Sequence, residues 1–258
     1  MRPDVNPYRH GAKLIWDRLV WDLNVQAWKS RAKLKRRKDS RSGKALILCN
    51  GPSLNEVDFK AVERSGIFTI GLNKINLLFE RTTLRPDMIV AVNDHVIEQN
   101  AEFYRETDIP LYLSSRGKRY FQGLPHITYL HHSAQQKFAR DCSWSIPIGY
   151  TVTFVAMQLA YHFGFDEVGL VGCDHNFASK GRPNEAVEAG EADPNHFDPR
   201  YFSGGVTWQL PDLVGSEHYY NLARLAWEEN GRRIVNCTKG GRLEIFARQK
   251  LSDFLPGT

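Results

Sequence analysis

The sequence predicts an α/β fold: a Rossmann-like, doubly wound and mostly parallel sheet with an inserted lid and an N-terminal amphipathic helix. Three observations carry that expectation. From Gly43 onward, short apolar runs alternate with helix-compatible stretches. The first run, Ala45-Leu-Ile-Leu-Cys49, stops at Asn50-Gly51-Pro52-Ser53, and an acidic segment suited to a helix follows from Leu54 to Val62. The runs from Ile67 to Leu72 and from Pro86 to Val92 also stop at asparagines, Asn73 and Asn93. In a parallel sheet the carboxyl ends of the strands share one edge, so the three amides are expected to converge on a crevice.

A chain of 258 residues, 42% apolar and 24% charged, is enough for one domain with a large core. Its net charge of +5 is unevenly spread. Residues 1–44 hold 13 Lys/Arg against 4 Asp/Glu, a net +9, which leaves the remainder at −4. The body therefore gives no reason to expect a nucleic-acid surface. The organisation predicted is a basic amphipathic leader over 1–43 and one Rossmann-like nucleotide-binding catalytic domain over 44–258, with the lid at about 176–215. Cys49, Cys142, Cys173 and Cys237 form no C-x-x-C pair and read as small buried thiols. That usage suits a reducing cytoplasm. There is no secretory signal and no apolar run of the roughly 18 residues that span a bilayer.

Within the leader, His10 to Trp28 places Leu14, Trp21, Val25 and Trp28 on one helical face, widened by Ile15 and Leu19. Lys29 to Lys44 then supplies a polybasic stretch. This composition suits a helix lying on the inner, anionic membrane surface as a peripheral contact. It equally suits a helix packed on the body or on a second copy of the chain, followed by a solvated basic linker.

At the first turn, Gly51 lets the backbone approach a ligand, Pro52 suits a first helical turn, and Ser53 can donate from it. Such turns hold phosphate because unpaired helix N–H groups point at the anion. An ordinary strand-to-helix turn has the same look, and neither G-x-G-x-x-G nor a Walker lysine is present. An asparagine offers both a donor and an acceptor, as recognition of ribose hydroxyls and a base edge requires, although it is also a common turn residue. Ile109–Ser114 and Ile127–Leu130 read as further strands.

Thr151 to Phe163 reads as a buried helix ended by Gly164, with Ile148-Gly149-Tyr150 before it as a second candidate anion site. Val168 to Cys173 is the next strand, ending at Asp174-His175, and His162 reads as a core-edge histidine. Residues 176–215 have loop composition and little periodicity, a length usually found in functional or disordered segments. Asp193, His196 and Asp198 fit no strong metal spacing, and no metal site is expected. His218 opens a helix whose Leu222, Leu225 and Ala226 are expected to face inward, and Ile234–Cys237 is a last strand.

Cys49-Asn-Gly-Pro-Ser-Leu54, the strand-end Asn73 and Asn93, and the helix-Gly164-Phe165-x-Glu167-Val-x-Leu-x-Gly172-x-Asp174 run together resemble the bacterial sialyltransferases of glycosyltransferase family 42. They also resemble the broader group of 6-hydroxymethylpterin diphosphokinase-like proteins, which includes the motility accessory factors. The likeness covers about Lys44 to Phe177 and, more loosely, Glu217 to Cys237; the leader lies outside it. It implies that Asn50, Gly51, Pro52, Ser53, Asn73 and Asn93 bind the nucleotide of a CMP-linked sugar. Thr151 and Gly172 would line its cradle, and Asp174 would orient. His218 would be the general base, with His196 and Tyr201 in the lid. The activity implied is glycosyl transfer to a surface glycan or glycolipid acceptor, as in lipopolysaccharide or capsule synthesis, with no required cofactor. Where the sialyltransferases have Thr-Ser-Gly this chain has Thr151-Val152-Thr153, which leaves the donor sugar open. Two other readings stand beside it. One is pyrophosphoryl transfer from ATP to a pterin-like alcohol, with Mg2+ held by Asp94, Asp174 or the lid acids. The other is a nucleotide-binding accessory protein without catalysis. Self-association is left open.

Overall fold

The computed structural model describes residues 6–121, 123–178 and 181–257; the first five residues of the expected leader and residues 179 and 180 of the expected lid lie outside them. Its centre is the run after Gly43. β1 (Lys44–Leu48) is followed by β2 (Phe68–Leu72), β3 (Met88–Ala91), β4 (Leu111–Ser114) and β5 (Ile127–Leu130), stepping outward in chain order. The chain then returns to the other side of β1 and adds β8 (Glu167–Val171), β11 (Arg233–Asn236) and β12 (Ala247–Arg248). The order is β12-β11-β8-β1-β2-β3-β4-β5, with every pairing parallel. The direction of winding therefore reverses between β1 and β8, where Leu48 pairs with Val171. At such a switch point the helices leave opposite faces and a crevice opens beyond the strand ends.

β1 is apolar throughout because both of its faces are covered. Ala45 and Ile47 face the layer of α6 (Val152–Phe163) and α7 (Leu213–Glu228). Leu46 and Leu48 face α3 (Phe59–Ser65), α4 (Asp94–Gln99), α5 (Ala101–Glu106) and the segment after residue 190. The four cysteines are free and buried.

α6 forms as the sequence predicts. Thr151 caps it by accepting from the Thr153 N–H, Gly164 ends it, and every residue from Thr153 to Phe163 is buried. His162 lies inside: the Cys142 N–H donates to its Nδ1 at 3.3 Å, so Nε2 carries the proton to the Leu34 carbonyl at 3.0 Å. Burial holds its pKa below the usual histidine value.

Five expectations are corrected. The segment from Leu54 to Val62 is not one helix: a 3-10 turn over Pro52–Glu56 precedes α3, whose own cap is Asp58, accepting from the Ala61 N–H at 3.0 Å. The leader is two helices, α1 (Pro7–Asp22) and α2 (Val25–Arg37), because Asn24 accepts from the N–H groups of Gln26 and Ala27 and starts the second one afresh. That break divides the predicted face, so Trp21 is buried while Val25 and Trp28 are exposed.

The polybasic stretch is largely α2 and not a linker. α2 covers the exposed edge of β5: Ser30 Oγ accepts the Tyr129 N–H at 3.0 Å, and Lys33 Nζ donates to the Ile127 carbonyl at 3.0 Å. An edge strand otherwise presents unpaired groups to any passing strand.

α7 begins before His218, at Leu213, and turns Tyr219, Tyr220, Ala223, Ala226 and Trp227 inward; Leu225 is 48% exposed, against expectation. The fifth correction concerns residues 176–215. They contain a hairpin of β9 (Ala186–Glu188) and β10 (Thr207–Gln209) and bury Phe197, Tyr201, Phe202, Trp208 and Leu210 in the core of the second face. Widely spaced aromatic residues with no 2- or 3.6-residue period supply this core, which is why the segment reads as loop.

Candidate functional site

Beyond the strand ends, at the switch between β1 and β8, lies a crevice of about 640 Å³. Of the residues singled out from the sequence it brings together Asn50, Gly51, Asn73, Asn93, Thr151, Gly172, Asp174, His196 and Tyr201. Pro52, Ser53 and His218 do not line it. Ser53 borders a separate hollow of about 580 Å³ behind the turn, and His218 is exposed on α7.

The turn after β1 is already filled. Asp174 accepts the Ser53 Oγ–H at 2.8 Å and the Ser53 N–H at 3.3 Å, so a carboxylate of this chain sits where the turn would meet a phosphate. A methyl group on Gly51 would stand 2.0 Å from Asp174 Oδ2, so the glycine makes room for this side chain. Gly172, at φ +68°, would place a Cβ 2.6 Å from the Cys49 carbonyl oxygen, which makes it the residue that lets β8 end so close to β1.

The three asparagines have different duties. Asn50 donates from Nδ2 to the Leu72 carbonyl and the Tyr201 hydroxyl, both at 3.1 Å, and its carbonyl accepts the Phe197 N–H at 2.9 Å. It pins the 176–215 segment to the sheet while Oδ1 stays buried without a partner among the described residues. Asn73, at φ +49°, likewise leaves Oδ1 buried and unpartnered. Asn93 caps α4, its Oδ1 accepting from His95 at 2.9 Å and Val96 at 3.3 Å, so its acceptor is spent locally.

Next to these, Asp94 keeps a buried, unpartnered Oδ1 and His132, on the short strand β6 (His132–Ser133), leaves both ring nitrogens so. Burial, reinforced by Arg116 and His131, pushes His132 down to about 3 and keeps it neutral. Buried polar atoms are nearly always paired, so four such side chains gathered in one crevice single it out as the candidate site.

The N-terminus of the 12-residue α6 lines the same crevice through Tyr150, Thr151 and Val152. Its dipole and first N–H groups give this end of the crevice a positive partial charge. Strain is concentrated here as well. Of the five non-glycine residues with positive φ among the described residues, Asn73, Tyr150, His175 and Asn184 line the crevice; only Asp39 does not.

His196 and Tyr201 form the aromatic wall. Their rings stack in parallel with centroids 4.0 Å apart, and His196 Nδ1 bonds to Asp193 Oδ2 at 2.7 Å. Asp198 is held by Arg81 at 2.9 Å and Arg200 at 3.0 Å. Among the described residues no three metal-ligating side chains cluster. Two residues escaped the sequence reading as site residues, His132 and His175. His175 lines the crevice, with Nε2 2.9 Å from Glu217 Oε1. Its only signal in the sequence is its place after Asp174, at a strand end matching those of Asn73 and Asn93.

A parallel sheet wound both ways from β1, with a crevice at the switch point, defines a Rossmann-like α/β fold. Residues 23–180 match the family described as 6-hydroxymethylpterin diphosphokinase MptE-like, and the chain belongs to that family. The match takes in α2, which the motif likeness left out. Among solved structures, the MAf glycosyltransferase from Magnetospirillum magneticum AMB-1 has a similar fold, with a TM-score of 0.52 and 16% identity over 88% of this chain. The similar region is 39% of that protein, so this chain corresponds to well under half of it. No curated protein sequence matches this one. Among the described residues no helix is long and apolar enough to cross a membrane.

Proposed function

We propose that the crevice binds a nucleotide-activated sugar, with CMP as the nucleotide, and transfers the sugar to a hydroxyl of a glycan or glycolipid acceptor. One observation carries this reading: unpartnered acceptors on Asn50, Asn73 and Asp94 share one crevice with a helix N-terminus. A nucleoside's amino and hydroxyl groups supply the missing donors, and its phosphates the negative charge that α6 attracts. The solved structure with a similar fold, described as a glycosyltransferase, supports the same class of reaction.

In this reaction the bond between the sugar's anomeric carbon and the phosphate oxygen breaks, and its electron pair leaves with the phosphate. α6 stabilises that developing charge. The acceptor oxygen bonds to the anomeric carbon and loses its proton to His175. Glu217 accepts from His175 Nε2, which fixes the tautomer with Nδ1 free to act as base. The base is His175 and not His218, because His218 lies outside the crevice. Asp174 acts by holding the β1 turn and does not touch phosphate. No cofactor enters this scheme.

The family's own description favours a second reading, pyrophosphoryl transfer from ATP. Of the carboxylates expected to hold Mg2+, Asp174 is committed to Ser53, which leaves Asp94 as the one with a buried unpartnered oxygen. In that reading Asp94 would hold the Mg2+, which would supply positive charge against the transferring phosphates.

Thermal shift with CMP, CDP and ATP, each with and without Mg2+, separates the two. Stabilisation by CMP and CDP independent of Mg2+ is expected. Stabilisation by ATP with Mg2+ alone would overturn the first reading in favour of the second. In turnover of CMP-sugars, His175→Ala is expected to lose at least about a hundredfold in rate and keep the CMP shift, with His218→Ala unchanged.

A further inference from the structure

We propose that α1 and the first turn of α2 dock this protein on an anionic lipid bilayer surface. The helix has two apolar sides with different fates. Its inner side is used: Trp21 is buried, and Arg18 reaches the Trp144 carbonyl at 3.0 Å and pairs with Asp22 at 2.7 Å. Its outer side is open. At about 100° per residue, Tyr8, Ile15, Trp16, Leu19, Val20 and Leu23 fall within an arc of roughly 140°. All six are exposed, Trp16 at 67% and Leu23 at 77%, and the apolar surface continues past the corner onto Val25 and Trp28. A contiguous apolar face of this kind marks an interaction site, unlike singly scattered residues.

The charges around it choose the occupant. Arg9 lies within that arc near its edge, Lys13 borders it, and Lys29, Lys35 and Arg36 stand exposed on α2. Crowding is already felt within this group, where burial and then Arg36 and Lys29 lower the pKa of Lys33. The body beyond residue 44 carries −4, so an anionic surface attracts the leader and repels the rest, which orients the molecule. A symmetric contact with a second copy would set the same cationic border against itself. The surface is a convex helix and its aromatic rings are tryptophan and tyrosine, the residues suited to the boundary of headgroups and acyl chains.

The test uses the full chain and sucrose-loaded vesicles of phosphatidylcholine alone, or of phosphatidylcholine with one-third phosphatidylglycerol. The protein is expected to sediment with the mixed vesicles, to shift its tryptophan emission to the blue, and to be released by salt. Lys29→Glu with Arg36→Glu is expected to weaken binding at least about tenfold. Trp16→Glu with Leu19→Glu is expected to abolish it while leaving the thermal midpoint unchanged, since both side chains are exposed. Failure to sediment, equal binding to both vesicle types, or undiminished binding by the Trp16/Leu19 variant would overturn the proposal. So would a concentration-dependent dimer that dissociates in that variant, which would make a second copy the occupant. None of these readouts depends on the reaction in the crevice.

Discussion

Alanine at position 51 puts one methyl group into the most crowded point of the switch region. Gly51 has φ −71°, a value open to any residue, so the effect is steric and not conformational. The new Cβ would lie 2.0 Å from Asp174 Oδ2, 2.8 Å from its Cγ and 2.7 Å from the Gly172 carbonyl oxygen. Rotating Asp174 away relieves the first two contacts at the loss of its bonds from the Ser53 hydroxyl at 2.8 Å and the Ser53 N–H at 3.3 Å. Hydrogen bonds to a charged group contribute about 1.5–3 kcal/mol each, and the second of these is long and shared between two oxygens, so together they are worth about 3 kcal/mol. The Gly172 contact is with backbone and requires the end of β8 to move, which adds about 1 kcal/mol. A loss of about 3–4 kcal/mol corresponds to a fall in Tm of about 6–15 °C for a chain of this size. Urea unfolding of Gly51→Ala, Asp174→Ala and the double variant measures it. Because the two changes disrupt the same contacts, they are expected to be less than additive by 1–2 kcal/mol, a magnitude usual for touching residues. A Gly51→Ala variant within about 0.5 kcal/mol of the parent, or strict additivity, would refute the assignment of Asp174 as the occupant of this turn.

Two further outcomes follow from the same geometry. Ser30→Ala leaves the buried Tyr129 N–H without its partner at 3.0 Å, so urea unfolding is expected to show a loss of about 1–3 kcal/mol, with faster hydrogen exchange at that amide. For His132 the folded pKa is about 3 and the ordinary value 6.5, so between those limits the unfolded chain binds a proton that the folded chain does not. Stability from this group is therefore lost as pH falls through that window, and His132→Gln is expected to lose less between about pH 7 and about pH 4.5 than the parent. Parallel losses in the two proteins would place the acid sensitivity elsewhere.

Some of this protein was legible from residue order alone. Strand β1, helix α6 with its Gly164 stop, and the parallel character of the sheet follow from local hydrophobic period and chain punctuation. Such signals act within a few residues, and at these elements the tertiary context agrees with them. The meeting of Asn50, Asn73 and Asn93 at one crevice was legible for a related reason: strand ends of a parallel sheet share an edge. Their separate duties were not. Whether an asparagine pins a distant tyrosine, leaves its oxygen open, or caps its own helix depends on partners up to 151 residues away.

Tertiary structure also decided what the first turn holds. Nothing near Ser53 announces that Asp174 enters the turn from the far side of the switch point, because the pairing of β1 with β8 joins segments about 120 residues apart. His175 faced the crevice and His218 did not for a reason invisible in composition, the rotation of α7 about its axis that packs Tyr219 and Tyr220 inward. The leader shows the division most clearly. Its basic and aromatic content was evident from the sequence, but only packing against the β5 edge separated Trp21, Ala27 and Leu34, which are buried, from Trp16 and Leu23, which remain open to solvent. Local order determines which side chains a helix offers; which of them find a neighbour depends on surfaces brought together by the whole fold.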